Sequence, residues 1–242
     1  MKKILITILT LLTISCNETP KKKGDQTEKT SQKEWVTLFD GKSFDGWHQF
    51  NENKMSTAWE IVDDAIVFDP SKQIDKTQNN DLVTDKEYTN FELSLEWNIT
   101  KGGNSGIFWG VKEGDQYRKP YTTGPEIQVL DNERHPDALA NPKFHQAGAL
   151  YDMVQPTQDV CRPAGEWNHV LLSIDHKSNK GCVALNGIEI VTFPLSGEKW
   201  DALIANSKFS DWDHFAKFKT GKIGLQDHGD MVSYRNIKIR EL

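Results

Sequence analysis

Residues 82–100 read LVTDKEYTNFELSLEWNIT, and the second half of this stretch decides the fold class. Phe91, Leu93, Leu95 and Trp97 alternate with Glu92, Ser94 and Glu96. That period of two sets one face of a β-strand on a core and the other towards solvent. Upstream, WEIVDDAIVF (59–68) reads as a hairpin joined by Asp63-Asp64, with Trp59, Ile61, Ile66 and Phe68 as core positions. Downstream, GGNSGIFWGV (102–111) is a glycine-rich turn leading into an apolar strand, Ile107–Val111. It lacks the lysine of a phosphate-binding loop, and no helix pattern follows. EWNHVLLSIDH (166–176) alternates weakly, and KGCVALNGIEIVTF (180–193) is a hairpin around Asn186-Gly187, the strongest short-range turn signal in the chain.

The last 22 residues, GKIGLQDHGDMVSYRNIKIREL, give two strands separated by His228–Asp230, with a bulge expected near Arg235-Asn236. Residues 195–220 break the β pattern, and short helices are expected there around Trp200–Asn206 and Trp212–Phe218. No internal repeat occurs. Ten or more short strands with few helices predict an all-β protein, a β-sandwich or jelly roll.

The N-terminus reads differently. MKKILITILTLLTISC carries two lysines, an apolar run and then small residues before Cys16. This is the pattern of a secretory signal, too short to span a bilayer as a stable helix. TISC approximates a bacterial lipobox, which predicts a signal peptide over 1–15 and a lipid on Cys16. Residues 17–33, NETPKKKGDQTEKTSQK, hold no large apolar side chain and read as a tether. The folded domain is then expected over 34–242, in the cell envelope and anchored to a membrane at the periplasmic face or the outer surface. Net charge of −6, with no basic cluster outside the tether, argues against a nucleic-acid partner. Cys161 and Cys182 could pair, closing a loop of about 20 residues, or remain apart if the backbone forbids the geometry.

Candidate chemistry concentrates in residues 124–153, GPEIQVLDNERHPDALANPKFHQAGALYDM. EIQVLD alternates as a half-buried strand, with Ile127 and Val129 on a core and Glu126 and Gln128 on the other face. GALYDM reads as a second strand. Between them runs a loop of more than a dozen residues holding His135 and His145, a length that is usually functional where it is ordered. Tyr151, Trp109 and Trp47 could stack on a ligand, although Trp47 fits better as a seal on the core. Gln226, Asp227 and His228 suit either a site or a structural turn.

Seven motifs now stand in order over residues 35–242: LFDGKSFDGW, GNSGIF, GPEIQVLDN, HQAGALYD, PAGEWN, LNG and GLQDHGDMVSYRNIKI. Together they resemble the bacterial 3-keto-disaccharide hydrolase family. The resemblance implies a concanavalin A-like jelly roll of two curved antiparallel sheets. It also implies an enzyme that cleaves glycosides already oxidised at C3 of the sugar. One departure is visible: many members carry an aromatic-Arg pair after the NSG motif, where this chain has Phe108-Trp109-Gly110.

A ketone at C3 acidifies the C2–H, so such a site needs a base, a stabiliser for charge on the C3 oxygen and an acid for the leaving group. His145 is expected as base, with Glu126 as acid or orienting group, and these two roles could be exchanged. Asp131, Gln128, Tyr151, Trp109 and His228 are expected to bind substrate. No HxH or HExxH spacing supports a metal, and no cofactor is expected. Two other readings stay open: a conventional glycosidase with two carboxylates, and a lectin-like module that binds sugar without turnover.

Overall fold

A computed structural model describes residues 33–242, apart from 53, 75–78 and 142. The expected signal, Cys16 and nearly all of the tether lie outside the described residues. Among the described residues, thirteen strands account for most of the order. One sheet is built from β1 (Val36–Thr37), β3 (Trp59–Val62), β4 (Ala65–Phe68), β6 (Phe91–Ile99), β9 (Asn168–Asp175), β10 (Lys180–Leu185), β11 (Ile188–Phe193) and β13 (Val232–Glu241). Its order is β11-β10-β9-β6-β13-β4-β3, with β1 on the free part of β13. The other sheet runs in the order β2-β5-β12-β7-β8, from β2 (Trp47–Gln49), β5 (Leu82–Thr84), β12 (Lys222–Leu225), β7 (Asn104–Val111) and β8 (Glu126–Leu130). Every pairing within the two sheets is antiparallel. The fold is the expected jelly-roll sandwich.

Alternation assigns the core. Phe91, Leu93, Leu95 and Trp97 from β6 meet Ile107, Trp109, Ile127, Val129, Ile223 and Leu225 from the facing sheet. At about 25 cal/mol per Å² of apolar surface, such side chains supply most of the driving force for closing the sandwich. Phe108, Val83 and Val111 point away from that core, and form a second apolar cluster with Phe50 and Tyr117 on the outer face of the five-stranded sheet.

The turns follow their residues. Asp63 and Asp64 both take positive φ, at 50° and 59°, and close β3 onto β4. Asn186 and Gly187 do the same at 52° and 83° for β10 and β11; an L-residue with a Cβ adopts this region only at a cost, which Asn and Gly minimise. The bulge expected in β13 falls between Arg235 and Lys238, where the register with β6 shifts.

Other expectations are corrected. GALYDM is not a strand: only Leu150 forms isolated bridges, to Ile127 and Val154, while Tyr151–Met153 turn back on themselves. The positive φ of Asp152, 59°, ends the extended run. A short helix, α1 (Pro136–Ala140), occupies the histidine loop. Glu198–Ala205 form α2, close to the helix expected there, but residues 212–218 are turns, pinned by ring packing of Phe209, Trp212 and Phe215. Cys161 and Cys182 are both free thiols.

Candidate active site

Glu126 and Gln128 leave β8 on the face opposite Ile127 and Val129, as the alternation requires, and both open into a cavity of about 280 Å³. This is near the lower end of the roughly 300–1,000 Å³ usual for small-molecule sites. Beside them lies Gly106 of β7, and a Cβ there would overlap the Glu126 carboxylate. Glycine at this position is what lets the carboxylate lie flat against the sheet. Asn104 from β7 and Gln226, just beyond β12, complete the polar floor. Ser105, on the core side of β7, donates its hydroxyl to the Gln226 carbonyl and shares a 2.7 Å hydrogen bond with Tyr234 Oη, so the floor is fixed from beneath.

Burial dominates the chemistry of Glu126. It pushes the carboxyl up to about 8, against the pull of the Lys208 ammonium and with help from Asp81 and Asp137. Gln226 hydrogen-bonds the carboxylate and partly opposes the rise. A carboxyl with that affinity for protons exchanges them near neutral pH. Asp81 is likewise pushed up to about 7 by burial, with Lys119 opposing.

The polar floor has a second property. Asn104 Oδ1, Gln128 Oε1 and Gln226 Oε1 are all buried with no donor from the protein. Buried acceptors are normally satisfied, and three on one cavity floor match a ligand rich in hydroxyl groups.

The irregular segment after α2 makes the opposite wall. Phe209 and Trp212 line it, with Tyr121 5.8 Å from Trp212 between ring centres. Lys208 also lines the cavity, its Nζ 4.1 Å from the centre of the Tyr151 ring. No sequence signal marked Lys208, Phe209, Trp212 or Tyr121, because their placement depends on how residues 195–220 fold back over the sheet.

His145 is placed differently from expectation. Its ring stacks on Tyr151 at 4.3 Å, and it does not line the cavity. Nδ1 lies 2.7 Å from Asp137 and Nε2 2.8 Å from Asp152, so a carboxylate occupies each nitrogen. Asp137 also accepts the Tyr151 hydroxyl at 3.0 Å, and Asp152 accepts the Lys208 backbone N–H at 2.7 Å. His145 therefore sits in a clamp behind Tyr151 and Lys208, a geometry that suits positioning and not proton abstraction.

Two further residues leave the expected set. Trp109 faces the core, where its ring stacks on Phe193 at 5.8 Å, because it shares the β7 parity of Ile107. Asp131 is buried and does not line the cavity. Burial raises its carboxyl, but N–H donors from Gly102 and Glu133 and the Arg134 guanidinium outweigh this and hold it below the usual range. Its work is to fix the turn after β8. His228 does line the cavity, as do Glu126, Gln128 and Tyr151.

At the rim, His228 and Asp230 meet His135, with one ligand-type atom from each lying within 4.8 Å of the others. Among the described residues this is the group of histidine and carboxylate side chains arranged to hold a metal ion. The spacing of 135 from 228 and 230 explains why no local motif announced it.

The sequence pattern of the 3-keto-alpha-glucoside-1,2-lyase-like domain matches residues 34–240. The chain belongs to this family. It is 35% identical over 231 residues to a 3-keto-disaccharide hydrolase of Bacteroides thetaiotaomicron, covering 86% of this chain and 78% of that protein. A crystal structure from Parabacteroides distasonis, provisionally assigned as a glycosyl hydrolase, superposes with a TM-score of 0.78 at 31% identity, covering 86% of this chain and 94% of the other. A carbohydrate-binding module of Bacillus subtilis matches at 0.50 and 11% identity over 81% of this chain and 94% of the other, which speaks to the fold alone. Membership makes the protein a glycoside-cleaving enzyme, and the cavity over β7, β8 and β12 is its candidate active site.

Proposed function

We propose that the cavity cleaves glycosides bearing a ketone at C3, by C2 deprotonation, expulsion of the C1 substituent and addition of water. Glu126 removes the C2 proton, and the electron pair moves onto the C3 oxygen as an enolate. Collapse of the enolate breaks the C1–O bond and leaves an enone, and the departing oxygen takes up a proton. Water adds at C1 and C2 regains a proton, so the sum is hydrolysis to a 3-keto sugar and an alcohol.

The observation that carries the reading is the pairing of one proton-exchanging carboxyl, Glu126, with three buried amide oxygens lacking donors on the same floor. Those oxygens, on Asn104, Gln128 and Gln226, receive sugar hydroxyls, while Tyr121 and Trp212 offer ring faces to the apolar side of the pyranose. The Lys208 ammonium lies where a negative oxygen would be stabilised. Tyr151, held by the clamp on His145, shapes the wall between them, and His228 faces substrate from the rim. The signal-like N-terminus supports a location in the cell envelope with Cys16 as anchor.

A conventional glycosidase needs two carboxyl groups about 5–9.5 Å apart across the scissile bond. Glu126 is the carboxylate among the described residues lining this cavity, which favours elimination.

Matched disaccharides, one oxidised at C3 and one not, test the proposal in deuterated water. Cleavage of the keto sugar alone, with deuterium at C2 of the product, is expected. Cleavage of the ordinary disaccharide would establish two-carboxylate chemistry instead. Binding without cleavage of either would leave a lectin.

A further inference from the structure

We propose that His135, His228 and Asp230 bind one divalent first-row transition-metal ion at the rim of the cavity. What the ion does there rests on the glycoside reading; whether it binds does not. His135 precedes α1, and His228 and Asp230 flank Gly229 in the connection from β12 to β13. The structure thus brings two remote segments to one point. Ligand atoms about 2.0–2.2 Å from a common ion and set at tetrahedral angles lie about 3.3–3.6 Å apart. The candidate atoms lie within 4.8 Å of one another, so binding draws them together by up to about 1.5 Å.

The donor types select the ion. Two imidazoles and one carboxylate suit zinc, manganese, iron or cobalt with positions left open, whereas calcium and magnesium prefer oxygen shells. Asp230 is already oriented, since its Oδ2 accepts the Asn104 backbone N–H at 3.1 Å. Supporting contacts of this kind commonly tune metal sites.

Asn104 supplies an independent observation. Its Nδ2 lies 3.5 Å from His228 Nε2, while its Oδ1 is one of the buried oxygens with no donor. The two ends of an amide are close in shape. With the ion bound, exchanging them would direct that oxygen to the cluster as a fourth donor, and Nδ2 would then face the sugar in its place, with Gln128 and Gln226 still accepting its hydroxyls.

Binding has a structural consequence. His135 Nδ1 now accepts the Asp137 N–H at 3.1 Å and caps α1. In a neutral ring the hydrogen then sits on Nε2, so ligation through either nitrogen gives up that cap: Nδ1 would turn its lone pair to the ion, or Nε2 would pass its hydrogen to Nδ1. The Asp137 amide should report this change. For a 3-keto sugar, an ion at this rim would polarise the ketone and hold the enolate oxygen, sharing that charge with Lys208.

The test titrates the metal-free full chain with zinc, and separately with manganese, by calorimetry. We expect one ion per chain, a raised melting temperature and a shifted Asp137 amide resonance. His228→Ala and Asp230→Asn should each weaken binding at least about tenfold. Asp230→Asn keeps an acceptor for Asn104, so folding is preserved, and Glu126→Gln should bind the ion as the wild type does. No one-to-one binding, or equal binding in wild type and both variants, would overturn the site. Binding that depends on these residues without cleavage of the keto sugar would uphold the site and remove the glycoside reading. Cleavage by a protein that binds no ion would remove the site and leave that reading standing.

Discussion

Glu126→Gln should lower turnover sharply and, at neutral pH, make the protein more stable. In the unfolded chain the carboxyl returns to its ordinary value of 4.5, whereas burial holds it near 8 in the fold. Below pH 4.5 both states carry the proton and the group costs nothing. Above it the unfolded chain ionises while the folded one keeps its proton, so stability falls as pH rises, and the loss is complete once pH passes about 8. Each pH unit in that window is about 1.4 kcal/mol. The cost is therefore about 3 kcal/mol at pH 7 and about 5 kcal/mol above pH 8.

Glutamine has nearly the same shape, fits over Gly106, and its amide oxygen can still accept from Gln226. It avoids the ionisation cost entirely. Urea unfolding of wild type and variant from pH 4 to pH 9 measures the difference directly. Asp81 titrates in the same direction, but both proteins carry it, as they do Lys208 and Asp137, so these contributions cancel to first order. We expect equal stability near pH 4 and a variant about 3 kcal/mol more stable at pH 7. Turnover should drop by about 10²–10⁴. A variant less stable than wild type at pH 8 would refute the buried, proton-retaining carboxyl.

Lys208→Met should lower kcat by about 10²-fold by removing the cation opposite the enolate. It should also move the acidic arm of the pH–rate profile to higher pH, since the ammonium now pulls the base Glu126 down; an unmoved arm would separate the two groups. Trp109→Ala should cost about 3–5 kcal/mol through the cavity it leaves against Phe193. Its KM should stay within about twofold, because the ring contributes packing and no substrate contact; calorimetry and steady-state rates check both.

The sequence by itself determined the local geometry. Period-two alternation in residues 91–97 and 126–130 fixed which side chains share a face, and so placed Glu126 and Gln128 opposite the core. Asp63-Asp64 and Asn186-Gly187 announced their hairpins through the backbone angles they tolerate. Those signals are local because a strand's two faces are set by bonded geometry alone.

Position relative to the cavity was decided by tertiary structure. His145 and Glu126 read alike as candidate proton carriers, but one is clamped between Asp137 and Asp152 and the other lies on the floor. Trp109 and Phe108 are adjacent aromatics, yet only sheet packing assigns Trp109 to the core. The wall of Lys208, Phe209 and Trp212, and the meeting of His135 with His228 and Asp230, join segments far apart in sequence. No periodicity encodes such a meeting, because it results from two sheets closing on one another and from where the connecting loops then come to rest.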